Sequence, residues 1–228
     1  MTRSALVTGA SSGIGAAITA RLLDDGWTVH GLCRSAPAPH PRLIHIAADI
    51  SDPVGLDAVL QGLTRDHGPM RGIVHAAGVL RVGRLPDLDS DAGRQMWTLH
   101  VDAAAQIVNH LVRTMPDQGR IVLIGSRTAA GAAGRSQYAA TKAALVGMAR
   151  SWAIELAPRG ITVNVIAPGA TETPMLRDPA RGSVAPIMPP LGRFVRPEEI
   201  GALAAFIMSD MAASLTGQQI VVCGGASL

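Results

Sequence analysis

Cysteine is nearly absent. Cys33 and Cys223 are the only two among 228 residues, which excludes a disulfide scaffold and a four-cysteine zinc site. Aromatic residues reach only 3%, so the core must be aliphatic and alanine-rich. Stacking platforms for nucleic-acid bases are lacking as well. Charged residues are sparse at 16%, and they form no run. The net charge of +3 is therefore spread out, and no basic stripe argues for nucleic acid. No stretch approaches the ~18 consecutive apolar residues of a membrane span. The opening MTRSALVTGASSG carries no apolar leader, and a cytoplasmic location is expected. The histidines fall at no metal-binding spacing, and a hydrolase's nucleophile elbow is missing. A hydrophobic content of 48% fits a soluble globular enzyme and excludes a disordered or collagenous chain.

Two residue types are rarer still. Of the 20 basic residues, 19 are arginine, and the single lysine is Lys142. The single tyrosine is Tyr138, four positions earlier. The chain otherwise does without both types, yet it places them one helical turn apart.

Along the chain, apolar β-type runs alternate with helical patterns, the signature of βαβ units in a parallel sheet. Strands are predicted over 4–7, 27–33, 42–47, 72–75, 121–125, 161–166 and 218–222. Helices are predicted over 14–24, 52–66, 90–114, 136–156 and 197–209. Pro37, Pro39 and Pro41 deny a regular helix to the crossover after the second strand. No linker or repeat interrupts 1–228, so one domain is expected, with a short Pro-rich substrate lid over about 170–197.

The turn Thr8-Gly9-Ala10-Ser11-Ser12-Gly13-Ile14-Gly15 joins the first strand to the first helix. Its glycines permit a tight turn and close approach of a pyrophosphate to the helix N-terminus. The Tyr138/Lys142 pair carries proton chemistry. Residues i and i+4 share a helix face. A phenol titrates near 10, too high for proton transfer at neutral pH, and an adjacent ammonium lowers that value.

With these motifs in hand, the chain resembles the short-chain dehydrogenase/reductase family over nearly its whole length. Asp49-Ile50, Ala76-Ala77-Gly78, Ser126 and Pro168-Gly169 match the family after strands three, four, five and six. The resemblance implies a Rossmann-type, doubly wound α/β fold with about seven parallel strands and helices on both faces. It implies that Tyr138 is the general acid/base, that Lys142 lowers its pKa and holds the nicotinamide ribose, and that Ser126 orients the substrate. Ser126 lies 12 residues before Tyr138, one fewer than is common in the family, which leaves Thr128 as an alternative. The family's proton-relay asparagine aligns with His100. That histidine is either a relay member or a core residue satisfied by a backbone carbonyl. The turn that reads N-N-A-G in the family reads His75-Ala76-Ala77-Gly78 here.

The cofactor contacts implied are Gly9, Ser11, Ser12, Gly13, Ile14, Gly15, Asp49, Ile50, Ala76, Ala77, Gly78, Pro168, Gly169, Thr171 and Thr173, besides Tyr138 and Lys142. Where NAD-preferring members carry an acid, this chain has Cys33 followed by Arg34. A neutral residue spares a 2′-phosphate repulsion and an arginine can bind it, so NADP(H) is favoured over NAD(H). The expected reaction is hydride transfer between NADP(H) and a carbonyl or secondary alcohol. An NAD-dependent dehydrogenase of a cyclic dihydrodiol or hydroxy acid, or a silent nucleotide-binding protein, are the alternatives. Gly78-Val79-Leu80-Arg81-Val82-Gly83 and the missing helix after the second strand resemble dihydrodihydroxybenzoate dehydrogenases and 3-oxoacyl-carrier-protein reductases. Met175, Met188, Leu191 and Phe194 are candidates for an apolar pocket, and Arg81, Arg177 and Arg193 for an anionic substrate. No nucleic acid, membrane or metal is expected. The resemblance further implies a homotetramer, or failing that a homodimer, paired through the helices at 90–114 and 136–156.

Overall fold

The computed structural model describes residues 3–179 and 184–228. Seven parallel strands form one sheet: β1 (Ser4–Thr8), β2 (Thr28–Cys33), β3 (Leu43–Ala47), β4 (Gly72–His75), β5 (Arg120–Ile124), β6 (Thr162–Pro168) and β7 (Gln219–Val222). Their order is β3-β2-β1-β4-β5-β6-β7, the doubly wound arrangement. β1, β4, β5 and β6 are buried along their whole length, as strands covered on both faces must be. Their continuous Val/Ile/Leu runs follow from that.

Helices α1 (Gly13–Asp24) and α6 (Pro197–Met208) cover one face. Ile18 and Leu22 of α1 and Ile200 and Ile207 of α6 pack there with Val7, Val29 and Val74. Helices α2 (Pro53–His67), α4 (Ala103–Leu111) and α5 (Ser136–Leu156) cover the other. That core joins Leu56 and Leu60 to Ile107, Leu145, Ala149 and the sheet residues Leu6, Ile73 and Val163. Short side chains on α5 let it lie close to the sheet. Asp52 caps α2 by accepting from the Val54 N–H, and proline at the first position suits the helix start.

The structure differs from the sequence reading in one element. The single helix expected over 90–114 is three: α3 (Ser90–Trp97), a π-helical turn (Thr98–Asp102) and α4. A wider π turn accommodates an extra residue within the helix and is frequent at functional sites. Here it carries His100, fully buried.

The sheet reverses its winding between β1 and β4, and ligands of open α/β sheets bind in the crevice at that edge. The expected site residues stand on loops or element ends at this carboxyl edge or on α5 beside it, apart from His100, which sits in the π turn between α3 and α4. Residues 180–183 of the expected lid lie outside the described residues. The described part holds a 3-10 turn, Pro174–Arg177, and a bridge between Thr171 and Val195.

Candidate active site

A cavity of about 880 Å³ opens at the switch point, large enough for a dinucleotide's reactive end and a small substrate. At one end stands the glycine turn. Gly13 has φ of +55° and Gly9 of +68°, backbone that L side chains rarely adopt. A Cβ on Gly15 would run into the Gly9 carbonyl oxygen, so the turn and helix α1 close together only with glycine there. Ser12 is the N-cap of α1 but makes no side-chain cap, and the first turn holds no acid. The helix's first N–H groups are thus left to an anion. This cradle fits a dinucleotide pyrophosphate.

Next along the crevice are Cys33, Arg34, Asp49 and Ile50. Cys33 is buried and its thiol points to the Ser35 carbonyl at 3.3 Å. Arg34 is exposed. The Ser51 hydroxyl and amide donate to Asp49 at 2.6 and 3.0 Å, holding its carboxyl below the usual range, and Arg34 adds a smaller pull in the same direction.

The opposite end is built by β4, β5, the π turn and α5. Ser126 lies two residues past β5, where its hydroxyl accepts from the Thr128 N–H at 3.2 Å and pairs with the Thr128 hydroxyl at 2.8 Å. Both line the cavity. The two candidates for substrate orientation are one hydrogen-bonded unit. Tyr138 and Lys142 also line the cavity, and Lys142 Nζ lies 5.7 Å from the Tyr138 ring centre. Lys142 is buried and donates to the Ile124 carbonyl at 3.0 Å. Burial without a counter-charge pulls its ammonium down to about 7 from an ordinary 10.5.

Behind this pair lies a polar chain that joins four elements. His100 Nε2 accepts from the Val79 N–H at 3.0 Å. Its Nδ1 therefore carries the proton in the neutral ring and donates to Thr141 Oγ1 at 2.8 Å. Thr141 in turn donates to the Tyr138 carbonyl. Both ring nitrogens are engaged within the protein, the backbone partner being an amide rather than a carbonyl. The ring also meets Tyr138 edge to face, with centres 5.7 Å apart. Thr8, from β1, accepts from the Ala76 and Ala77 N–H groups at 3.0 Å each. Its own proton then goes to His75 Nδ1 at 3.1 Å. Burial, with the Lys142 charge second, pushes His75 to about 3 and His100 well below its ordinary value. Both imidazoles are neutral at neutral pH, which leaves Lys142 as the cation of this inner wall.

The cavity also takes in Pro168, Gly169, Thr171 and Thr173 as expected. The substrate candidates divide. Met175 and Arg81 line it, whereas Met188, Leu191, Phe194, Arg177 and Arg193 are not among its described walls. Arg193 is spent on a two-pronged pair with Glu199, at 2.7 and 2.8 Å. Sequence reading missed the roles of Thr8 and Thr141, and it missed Arg84, Arg127 and Arg135, which do line the cavity. Thr8 carried a signal, standing at the end of a strand beside the glycine turn. The arginines carried none, because 19 scattered copies look alike in sequence. Among the described residues there is no metal-binding cluster and no helix long and apolar enough to cross a membrane.

Comparison with known proteins adds three findings. A family model described as enoyl-(acyl carrier protein) reductase matches residues 9–227. The chain is 35% identical, over 97% of its length and 96% of the relative's, to 3-oxoacyl-[acyl-carrier-protein] reductase FabG of Salmonella typhimurium. Among solved structures, a short chain dehydrogenase family protein from Francisella tularensis superposes with a TM-score of 0.92 at 27% identity, covering 100% of this chain and 99% of that one. A blue fluorescent protein from a metagenomic library, in complex with NADPH, gives 0.89 at 32% identity, covering 99% and 98%.

Proposed function

The chain belongs to the short-chain dehydrogenase/reductase family of NAD(P)-dependent oxidoreductases, and on that premise we propose that it interconverts a carbonyl and a secondary alcohol with NADP(H), using Tyr138 as proton donor in reduction and acceptor in oxidation. The bound nicotinamide supplies or takes the hydride. Everything else is done by the chain's own residues. The observation that carries the reading is that the one tyrosine and the one lysine share a helix face on the cavity wall. The Lys142 ammonium favours a phenolate beside it. Ser126, held by Thr128, presents a hydroxyl to the substrate oxygen. His100 serves by position: it ties the Val79 amide, the π turn and the first turns of α5 into one wall behind Tyr138. Consumption of NADPH against ketones, quinones, 3-oxoacyl thioesters and cyclic keto acids tests the reading. Tight NADPH binding with no carbonyl-dependent consumption across that panel would refute it.

The cofactor preference rests on Cys33 and Arg34. A charge-assisted hydrogen bond to a 2′-phosphate contributes about 1.5–3 kcal/mol. Arg34→Ala should therefore weaken NADPH binding roughly 10- to 100-fold and leave NADH binding almost unchanged. Cys33→Asp should reverse the order of the two cofactors. Calorimetric titration with each cofactor reads this directly, and equal losses for NADPH and NADH would show that the 2′-phosphate is not read here.

The outer face of α5 supports assembly. Ala143, Gly147 and Ile154 are exposed on it, and a Cβ on Gly147 would meet nothing within 4 Å. Small residues of this kind admit a second helix closely. The proposed homotetramer, or dimer, should appear in light scattering, and Gly147→Glu should shift it toward monomer. A fully active 23.5 kDa species at micromolar concentration would rule the assembly out.

A further inference from the structure

Ser126 caps a 3-10 turn, Arg127–Ala130, that follows β5. Two backbone bonds close this turn. The Ala129 N–H donates to the Ser126 carbonyl at 3.0 Å, and the Gly131 N–H donates to the Thr128 carbonyl at 2.8 Å. They fix where the Ser126 and Thr128 side chains stand. A threonine is also stiff about χ1, so its hydroxyl has little freedom to leave its partner. Both residues are buried, and both line the cavity.

Packing does not explain the Thr128 hydroxyl. Valine has the same branched shape, and a buried hydroxyl costs stability unless it is hydrogen-bonded. Among the described residues, the partner of Thr128 Oγ1 is Ser126 Oγ, at 2.8 Å. The cap does not need this contact, because the Thr128 N–H already donates to Ser126 Oγ at 3.2 Å. The Thr128 hydroxyl is therefore there to act on the Ser126 hydroxyl.

A serine hydroxyl has one proton and two acceptor lone pairs. The Thr128 amide occupies one lone pair. With the Thr128 hydroxyl donating, the second is occupied too, and the Ser126 proton is left for the cavity. In the opposite orientation Ser126 gives its proton to Thr128 and turns a lone pair to the cavity. A carbonyl oxygen offers lone pairs only, so it binds to the first arrangement and is repelled by the second. We infer that Thr128 is a positioning residue that donates to Ser126, fixes it as a hydrogen-bond donor toward the cavity, and so makes the site select substrates whose reacting oxygen is an acceptor. This deepens the oxidoreductase reading of the cavity and rests on it. As hydride reaches the carbonyl carbon, charge grows on the oxygen, and a donor aligned beforehand stabilises it without reorganising. A Ser126 hydroxyl that rotates freely loses that alignment.

Wild type is compared with Thr128→Val, Thr128→Ser, Ser126→Ala and the double variant Ser126→Ala/Thr128→Val, using the fastest carbonyl of the NADPH panel. Ser126→Ala removes a donor to the developing oxyanion and should cost about 10²- to 10³-fold in kcat. Thr128→Val should lower kcat roughly tenfold and leave KM within about threefold, because the aligned bond is strongest in the transition state. Thr128→Ser returns the hydroxyl and should bring kcat to within about threefold of wild type. In the Ser126→Ala background, Thr128→Val should change kcat by less than about twofold, since Thr128 has nothing left to act through. A threonine that served only the turn would give the same roughly tenfold loss in both backgrounds, and that additivity would overturn the inference. A larger loss in the Ser126→Ala background, or a Thr128→Val enzyme within about twofold of wild type, would overturn it as well.

A binding measurement needs no turnover. Each protein, saturated with NADP⁺, is titrated with cyclohexanone and with methylenecyclohexane, which share a shape and differ in the acceptor oxygen. Wild type should favour the ketone by about tenfold or more. Thr128→Val should lose at least about threefold of that preference, and the double variant should lose no more than Ser126→Ala does. A wild type without ketone preference would overturn the inference. Turnover of the panel carbonyls with additive losses would sink the inference and leave the oxidoreductase reading standing. A ketone preference coupled through Thr128 without any hydride transfer would do the reverse.

Discussion

Tyr138→Phe will lower carbonyl reduction by about 10²- to 10⁴-fold, the span that a positioned general acid contributes, while NADPH affinity stays within about threefold. The substitution removes one oxygen. The ring keeps its edge-to-face contact with His100. The surrounding chain through Val79, Thr141 and the Tyr138 carbonyl uses no atom of the phenol. Loss therefore belongs to the proton and not to the fold. Steady-state kinetics and cofactor titration on the same preparation read both quantities. Activity within tenfold of wild type would remove Tyr138 from the chemistry.

Lys142→Met is expected to separate function from stability. Turnover should fall about as far, because the cation beside the phenol is gone and the methionine offers no donor. The cofactor-free protein should nevertheless become more stable at pH 6. Burial lowers the folded-state pKa of Lys142 to about 7, against 10.5 in the unfolded chain. Between those values the unfolded state binds more protons, so stability of the wild type rises with pH across that window. Below pH 7 the full cost of burying the ammonium is present, with an upper bound of about 4–5 kcal/mol. Above 10.5 it has vanished. The variant also loses the hydrogen bond to the Ile124 carbonyl, worth about 1 kcal/mol. A net gain of about 1–3 kcal/mol at pH 6 follows, shrinking toward zero or reversing by pH 10. For a chain of this size each kcal/mol moves the melting temperature by roughly 2–4 °C. A variant less stable than wild type at pH 6 would mean that Lys142 is not buried as a lone charge.

The strands and most helices were legible because each is a local pattern: an apolar run bounded by glycine or proline, or a 3.6-residue stripe with a cap such as Asp52. The turn at Gly9–Gly15 and the Tyr138/Lys142 pair were legible for the same reason, being short-range spacings. The π turn at 98–102 was not, since the apolar stripe of 90–114 reads the same whether or not one turn is widened. What holds it is His100, whose partners Val79 and Thr141 lie 21 and 41 residues away. The Thr8 clamp on Ala76 and Ala77 spans 68 and 69 residues. Arg193 and Arg84 differ only in what the fold places opposite them, Glu199 for one and a cavity for the other. Contacts of that range become visible only when the sheet order is known.

The pairing of Tyr138 with Lys142 is open to one direct measurement, because the chain has a single tyrosine. Incorporating tyrosine labelled with carbon-13 at Cζ gives one resonance, whose shift against pH follows the ionisation of Tyr138 alone. The Lys142 ammonium sits low for want of a counter-anion, and a phenolate is the anion within reach, so the two titrate as a coupled pair. Wild type, free and saturated with NADP⁺, should ionise Tyr138 clearly below the ordinary value of about 10, and Lys142→Met should return it to about 10 or above. A resonance that titrates at or above about 10 in both proteins would contradict the account.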